Sequence, residues 1–287
     1  MQTGHAGRLK TLLDGEGCLV MPCCFDALSA RMIEKAGFSL TFMSGFAVSA
    51  TRLGAPDRGL ISYGEMLDQG RSICEAVDLP VIGDADTGYG NPMNVRRTVE
   101  GYARAGFASV MIEDQLAPKR CGHTRGKEVV SRQEAALRIR AAVDARESGA
   151  DVLIMARTDA RAAHGLDEAM ERCRVFADLG ADILFLEAPK DEAEMETFCR
   201  AMPGLPKMAN IVEDGETPAL PPARLGEIGF RIAAYPLSLL SVAARAMQQA
   251  LADLAAGRPV DGRVSFEELQ ALVGFPEYEA ALSRYED

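Results

Sequence analysis

The chain has 287 residues, 48% of them hydrophobic and 25% charged, which supplies enough apolar material for a large core. Its formal net charge of -11 argues against a nucleic-acid backbone or an anionic membrane as partner, but leaves room for a local basic pocket that takes a small anion. The seven cysteines are odd in number and form no C-x-x-C pair, and the chain has neither a secretory-type apolar start nor about 18 uninterrupted apolar residues; the expectation is a soluble, cytoplasmic protein with reduced thiols.

Short apolar runs bounded by Gly, Pro or Asp recur in chain order: CLVMP (18–22), SLTFMS (39–44), PVIGDAD (80–86), ASVMIED (108–114), VLIMARTD (152–159), DILFLEAP (182–189), PKMANI (206–211) and FRIAAYP (230–236). They are continuous rather than alternating, as strands buried on both faces should be. Between them lie DALSARMIEKAG, YGEMLDQGRSICEAV, PMNVRRTVEGYARAG and SRQEAALRIRAAVDARESG. These repeat apolar positions every three or four residues, and several end at a glycine stop. Eight strand–helix alternations without a long polar linker predict a single α/β domain over 1–287, a (β/α)8 TIM barrel. A doubly wound sheet is the competing reading, and the number of units favours closure.

Two segments exceed a minimal barrel. Residues 115–130 form a long polar excursion after the fourth run, of the kind that gates a site. After the eighth run, LSLLSVAARAMQQALADLAAG is apolar around most of its circumference, and SFEELQALVGFPEYEAAL closes the chain. A helix apolar on all sides needs burial on more than one side, so residues 237–287 are expected to make an oligomer contact.

Chemistry in a barrel sits where the strands end. Here the ends carry Ser44, Asp84 and Asp86, Glu113 and Asp114, Arg157 and Asp159, Glu187, and Asn210. Each alone has a bland reading: Asp86 could cap a helix, Asp159 hold a turn, Glu187 stand in solvent. Apolar strands that end repeatedly in acids, with one arginine among them, are costly as packing alone. In GDADTGYGN two carboxylates stand at i and i+2 before glycines that allow a tight turn. With Glu113 they suit a hard cation, Mg²⁺ or Mn²⁺, and not zinc. The segment lacks the phosphate-loop pattern. Arg157 can grip a carboxylate in a bidentate fork. Cys121, in PKRCGH, is next to Arg120 and two residues from both Lys119 and His123. That setting suits a nucleophile or a general acid/base, whereas Cys74, Cys173 and Cys199 lie in apolar runs and read as core.

SGFAVSATRLGAPDRG, GDADTGYGN, IEDQ, PKRCGHTRGKEVVS, ARTDARAAHGLDEA, LFLEAP and ANIVEDGETP, in this order, resemble the isocitrate lyase/phosphoenolpyruvate mutase superfamily, and KRCGH marks its lyase branch. The resemblance runs from about Pro22 to the C-terminal helices. It implies an α/β barrel whose last helix is exchanged between subunits, usually in a dimer of dimers. It implies that Asp84, Asp86 and Glu113 hold Mg²⁺ directly or through water, and that Ser44, Gly45, Phe46 and Arg157 receive the substrate's carboxylate and oxygen. By the same resemblance Asp57 stands near the metal and the reacting oxygen, Glu187 and Asn210 line the pocket, and Cys121, Gly122 and His123 belong to the gating loop. Cys121 is then the acid that protonates the leaving enolate after retro-aldol cleavage of a C–C bond.

The loop cysteine argues against the phosphonomutase branch. Ser241 stands where tricarboxylate-cleaving methylisocitrate lyases resemble each other in an arginine, and Phe46 where they tend to have glycine. The motifs look most like the 2-alkylmalate lyase (petal death protein-like) and oxaloacetate hydrolase subgroup. The expected substrate is a small dicarboxylate: 2-methylmalate, 2,3-dimethylmalate or hydrated oxaloacetate. Rival expectations are methylisocitrate lyase, carboxyphosphonoenolpyruvate mutase, oxaloacetate decarboxylase, or a dicarboxylate-binding regulatory barrel without catalysis.

Overall fold

The computed structural model describes residues 4–121 and 126–285. Its strands are β1 (Leu19–Cys24), β2 (Thr41–Met43), β3 (Val81–Asp84), β4 (Ser109–Glu113), β5 (Leu153–Thr158), β6 (Ile183–Leu186), β7 (Lys207–Asn210) and β8 (Ile232–Tyr235). All pair in parallel in sequence order, and β8 returns to β1, so the sheet is a closed barrel. Each strand overlaps an apolar run of the sequence, because a parallel strand buried on both faces leaves no polar positions to interrupt it.

Local signals set the helix limits. Asp26 and Ser29 form a capping box before the helix Ala27–Lys35, and Ser62 and Glu65 do so before Tyr63–Ala76. Asn91 accepts from Met93 and Asn94 ahead of a proline at the start of Pro92–Ala105, which ends on Gly106 at φ 99. These caps satisfy the first orphan N–H groups of each helix and fix where the chain leaves the barrel.

The barrel interior is filled by Met21, Phe42, Ile82, Met111, Met155, Ile183, Phe185, Met208 and Ile232, and Leu9 and Leu13 of the helix His5–Leu13 join this cluster. The unbranched methionines fill irregular gaps between the rings. A second cluster lies between the sheet and the outer helices and includes Tyr102, Phe107, Phe176 and Phe198. Gly83 in β3 exists for this layer. A Cβ there would stand 2.7 Å from the Tyr102 ring and 2.8 Å from Phe107.

After β8 the helix Ser238–Ala255 buries none of its residues and leaves Val242, Met247, Leu251 and Leu254 exposed. The helices Phe266–Val273 and Phe275–Leu282 also bury none, with Phe266, Phe275 and Tyr278 exposed. They are tied to the barrel at Arg31, whose Nη1 donates to the Val273 carbonyl at 3.1 Å, and at Lys35, whose Nζ donates to the Ala271 carbonyl at 2.5 Å. No helix among the described residues is long and apolar enough to cross a membrane.

Candidate active site

The site is assembled at the C-terminal ends of the strands. Ser44 follows β2 and caps the short helix Gly45–Val48, its Oγ accepting the N–H of Ala47 at 3.3 Å. Gly45 donates its N–H to Asp84 Oδ2 at 3.2 Å, and a Cβ at Gly45 would stand 2.4 Å from that oxygen. Only glycine lets the carboxylate approach so closely. Asp84 Oδ1 accepts the N–H of Asp86 at 3.0 Å, and Asp86 holds φ at 49°, a left-handed conformation uncommon for a residue with a side chain. The hydroxyl of Tyr102 donates to the Asp84 carbonyl at 2.9 Å and steadies the strand end from behind.

A lysine lies among these acids. Lys119 Nζ is 2.6 Å from Asp57 Oδ1 and 2.9 Å from Asp86 Oδ1, with all three side chains buried. Burial opposes the charge on Lys119, but Asp86, Asp84, Asp57 and Glu113 outweigh it and hold the ammonium well above the ordinary lysine value. Burial raises the Asp86 carboxyl to about 6, against the pull of Lys119. Burial also lifts Glu113 well above the usual carboxylate range, with Arg157 pulling the other way.

Arg157 stands opposite Glu113 in the β4–β5 register. Its Nε is 2.8 Å from Asp159 Oδ2 and 3.3 Å from Glu113 Oε2; its Nη2 is 3.1 Å from Asp159 Oδ1 and 3.0 Å from Glu187 Oε2. The guanidinium carbon lies 5.0 Å over the Phe185 ring. Its Nη1 makes no protein hydrogen bond among the described residues, and the side chain lines the cavity. Lys127 Nζ meets Asp159 Oδ1 at 3.0 Å. Burial works against the Asp159 charge, yet Arg157 and Lys127 outweigh it and keep this carboxyl below its ordinary value. Asp114 stands behind, accepting the N–H of Asp159 at 2.9 Å, the hydroxyl of Thr158 at 2.6 Å and Arg172 Nη1 at 2.9 Å. Asn210 Nδ2 reaches the Glu187 carboxylate at 3.3 Å.

These groups surround a cavity of about 60 Å³. Of the residues singled out in the sequence, Ser44, Phe46, Asp57, Asp84, Cys121, Arg157, Glu187 and Asn210 line it. Gly45, Asp86 and Glu113 are buried beside them without lining it, and Gly122 and His123 lie outside the described residues. Val212, Ala234, Pro236, Leu237 and Phe46 add apolar surface to the lining.

The donor chemistry fits a hard cation. Asp57, Asp84, Asp86 and Glu113 gather four carboxylates against Lys119 and Arg157, and buried Glu113 Oε1 has no hydrogen-bond partner among the described residues. An orphaned buried carboxylate oxygen is costly unless a further donor or cation reaches it. The acids do not form a ready-made cage, since among the described residues no three His, Cys, Asp or Glu side chains are grouped to hold a metal ion. Lys119 stands between Asp57 and Asp86, and Arg157 draws on Glu113. Mg²⁺ typically keeps several waters and needs few direct protein ligands, so such an arrangement suits it better than it suits zinc.

The family model for phosphoenolpyruvate phosphomutase matches residues 9–255. The chain belongs to the phosphoenolpyruvate mutase/isocitrate lyase superfamily. Within it, the chain is 43% identical over 274 residues to 2,3-dimethylmalate lyase of Eubacterium barkeri, covering 94% of each protein. It superposes with a TM-score of 0.93 and 35% identity on an oxaloacetate acetylhydrolase bound to the inhibitor 3,3-difluorooxalacetate, covering 97% of this chain and 96% of that one. A phosphonopyruvate hydrolase in complex with oxalate and Mg²⁺ matches with a TM-score of 0.87 and 29% identity, over 99% of this chain and 100% of that one.

Sequence reasoning about this superfamily member passed over three residues of the site. Lys119 entered only as a charge near Cys121, although it faces the same cavity two residues away, as side chains alternate in extended chain. Lys127 and Gln115 carry no periodic signal, because their partners are distant in sequence and loop geometry is not written in hydrophobic spacing.

Proposed function

We propose that the chain is a Mg²⁺-dependent carbon–carbon lyase, with Mn²⁺ as a substitute, that cleaves a small 2-hydroxy dicarboxylate of the 2-methylmalate or 2,3-dimethylmalate type, or hydrated oxaloacetate. The observation that carries the reading is the cavity itself. It is lined by a thiol, Cys121, by Arg157, and by the apolar side chains of Phe46, Val212, Ala234, Pro236 and Leu237. Among the described residues its only cations are Lys119 and Arg157, both already facing acids. Among the described residues no further cation is left for a third substrate carboxylate, whereas an alkyl group would find Phe46, Val212, Pro236 and Leu237.

Asp84, Asp86 and Glu113 would hold the cation, which when bound withdraws charge from substrate oxygens. Arg157 Nη1 binds and orients a carboxylate, with the rest of the fork fixed by Asp159 and Glu187. Asp57 accepts the proton of the 2-hydroxyl as the bond between C2 and C3 breaks. Cys121 delivers a proton to the departing carbon, so that 2,3-dimethylmalate yields pyruvate and propionate, and hydrated oxaloacetate yields oxalate and acetate. Ser44, Gly45 and Asn210 fix the surrounding carboxylates and the pocket shape. Residues 115–130, with Gly122 and His123, act as the gate that excludes water. The described part of that segment supports this, since Lys119 and Cys121 roof the cavity. The bare helix Ser238–Ala255 supports a homo-oligomer, for which the superfamily resemblance suggests a dimer of dimers, and the seven free thiols are compatible with the cytoplasm.

The test is an NMR product assay with Mg²⁺, offering 2-methylmalate, 2,3-dimethylmalate, oxaloacetate and 2-methylisocitrate separately. Cleavage of a dicarboxylate, abolished by EDTA and reduced at least about 100-fold in Cys121→Ser, is the expected result. Preference for 2-methylisocitrate, or no turnover of any of the four, would overturn the assignment.

A further inference from the structure

Cys121 is in the loop after β4, and a loop alone does not aim a thiol. We propose that Gln115 is the positioning residue that does so: its carboxamide clasps the main chain of Arg120 and sets the facing of Lys119 and Cys121 on either side. Gln115 Oε1 accepts the Arg120 N–H at 2.8 Å, and Gln115 Nε2 donates to the Arg120 carbonyl at 2.9 Å. A single side chain thus takes both hydrogen-bonding groups of one residue, as a neighbouring strand would.

The clasp is itself anchored. Gln115 is buried at 1% exposure and bridges Val129. Its carbonyl accepts Arg138 Nη1 at 2.8 Å, and the same nitrogen reaches the Glu113 carbonyl at 3.3 Å. Leu116 donates to Glu128 at 2.8 Å, and Val130 to Asp114 at 2.9 Å, so both sides of the loop root are tied to the end of β4. One buried amide thus links the end of β4 to the main chain beside the thiol, next to the ion pairs that hold Lys119.

Register gives the clasp its consequence. Arg120 and its neighbours are in neither helix nor strand, and in extended chain alternate side chains face opposite ways. Cys121 lines the cavity with Arg157, Lys119 borders both the cavity and the groove outside it, and Arg120 lines only that groove, with Arg58 and Glu128. A slip of one residue would turn the guanidinium inward and the thiol outward. Holding both main-chain groups of Arg120 forbids that slip.

This inference rests on Cys121 being the proton donor of the proposed lyase. The experiment compares Gln115→Met, which keeps volume and removes both hydrogen bonds, and Gln115→Asn, which keeps the amide but falls short, with the parent and Cys121→Ser. Three readings are taken: kcat and KM for 2,3-dimethylmalate, thermal stability, and the rate of Cys121 alkylation by iodoacetamide followed on its peptide. We expect Gln115→Met to lose about 100-fold in kcat, as a misplacement of about 1 Å does, with KM within about threefold and Cys121 alkylated at least about fivefold faster. If Gln115→Met does not fold, Gln115→Asn carries the same expectation. Parent-like alkylation together with parent-like kcat, or a fall in stability alone, overturns the positioning role. If the parent cleaves no dicarboxylate, the lyase reading fails and the alkylation rate alone decides whether Gln115 aims the thiol. If the parent is active and Cys121→Ser is not, a silent Gln115 variant sinks only the present inference.

Discussion

Lys119 Nζ lies 2.9 Å from Asp86 Oδ1, inside the group of acids expected to hold a divalent cation. The pair is buried, so each partner depends on the other for its charge. Removing the ammonium by Lys119→Met leaves Asp57 and Asp86 facing each other without compensation. We expect a loss of about 3–5 kcal/mol in EDTA, as for other buried pairs that lose one partner, and a much smaller loss in millimolar Mg²⁺. Urea melts in the two buffers measure both. Equal losses would mean that the cation does not serve the same carboxylates.

Gly45 is a second point of leverage on these acids. A methyl group at this position would stand 2.4 Å from Asp84 Oδ2, so Gly45→Ala must push the carboxylate aside. The expected outcome is weaker Mg²⁺ binding by about tenfold or more in a titration, with kcat/KM lower by about 100-fold, since small displacements of catalytic groups cost that much. Unchanged Mg²⁺ affinity would show that Asp84 is not a ligand.

A pH effect is expected away from the site. Glu168 accepts from Arg132 Nη2 at 2.5 Å and from Arg172 Nε at 2.9 Å, and these bonds lower its carboxyl to about 2. A depressed acid contributes stability above its unfolded value and loses it as pH falls toward the folded one. Glu168 is 23% exposed and Arg132 is 46% exposed, so solvent screening holds the contribution to about 1 kcal/mol. Glu168→Gln is therefore expected to cost about that much at pH 7, and the difference should shrink as pH falls from the ordinary glutamate range toward about 2. Paired melts across this range would show it; a gap that widens in acid would contradict it.

The helix Ser238–Ala255 carries Val242 and Leu251, 70% and 65% exposed, on a surface that buries nothing in its own chain. Large apolar side chains exposed on more than one side of a helix are normally covered by a partner. Val242→Asp combined with Leu251→Asp is expected to reduce the mass measured by light scattering after gel filtration to that of a smaller species. A parent that is already monomeric would refute the contact.

The strands and the acids at their ends were legible in the sequence for one reason. A run such as ASVMIED is apolar throughout and then ends in charge, and only a strand buried on both faces that opens into a polar mouth produces that pattern. Arg157 was visible for the same reason, as a lone cation at a strand end. Lys119 and Gln115 were not, because their importance depends on which way an irregular loop turns. No spacing rule states that Gln115 meets Arg120, five residues on, rather than solvent. The apolar lining was equally hidden, since Val212 follows β7 and Pro236 and Leu237 follow β8, and these exits meet only once the two strands pair.

The segment between Lys119 and Lys127 is fastened to the barrel at each side by an ammonium group, one on Asp57 and Asp86 and the other on Asp159. Raising it, as the proposed gate requires, would therefore be an ion exchange as much as a hinge movement. A gate movement of the kind proposed above would withdraw both ammonium groups, leaving Asp159 with Arg157 but Asp57 and Asp86 without their cation, so another cation would have to take over there as the chamber opened.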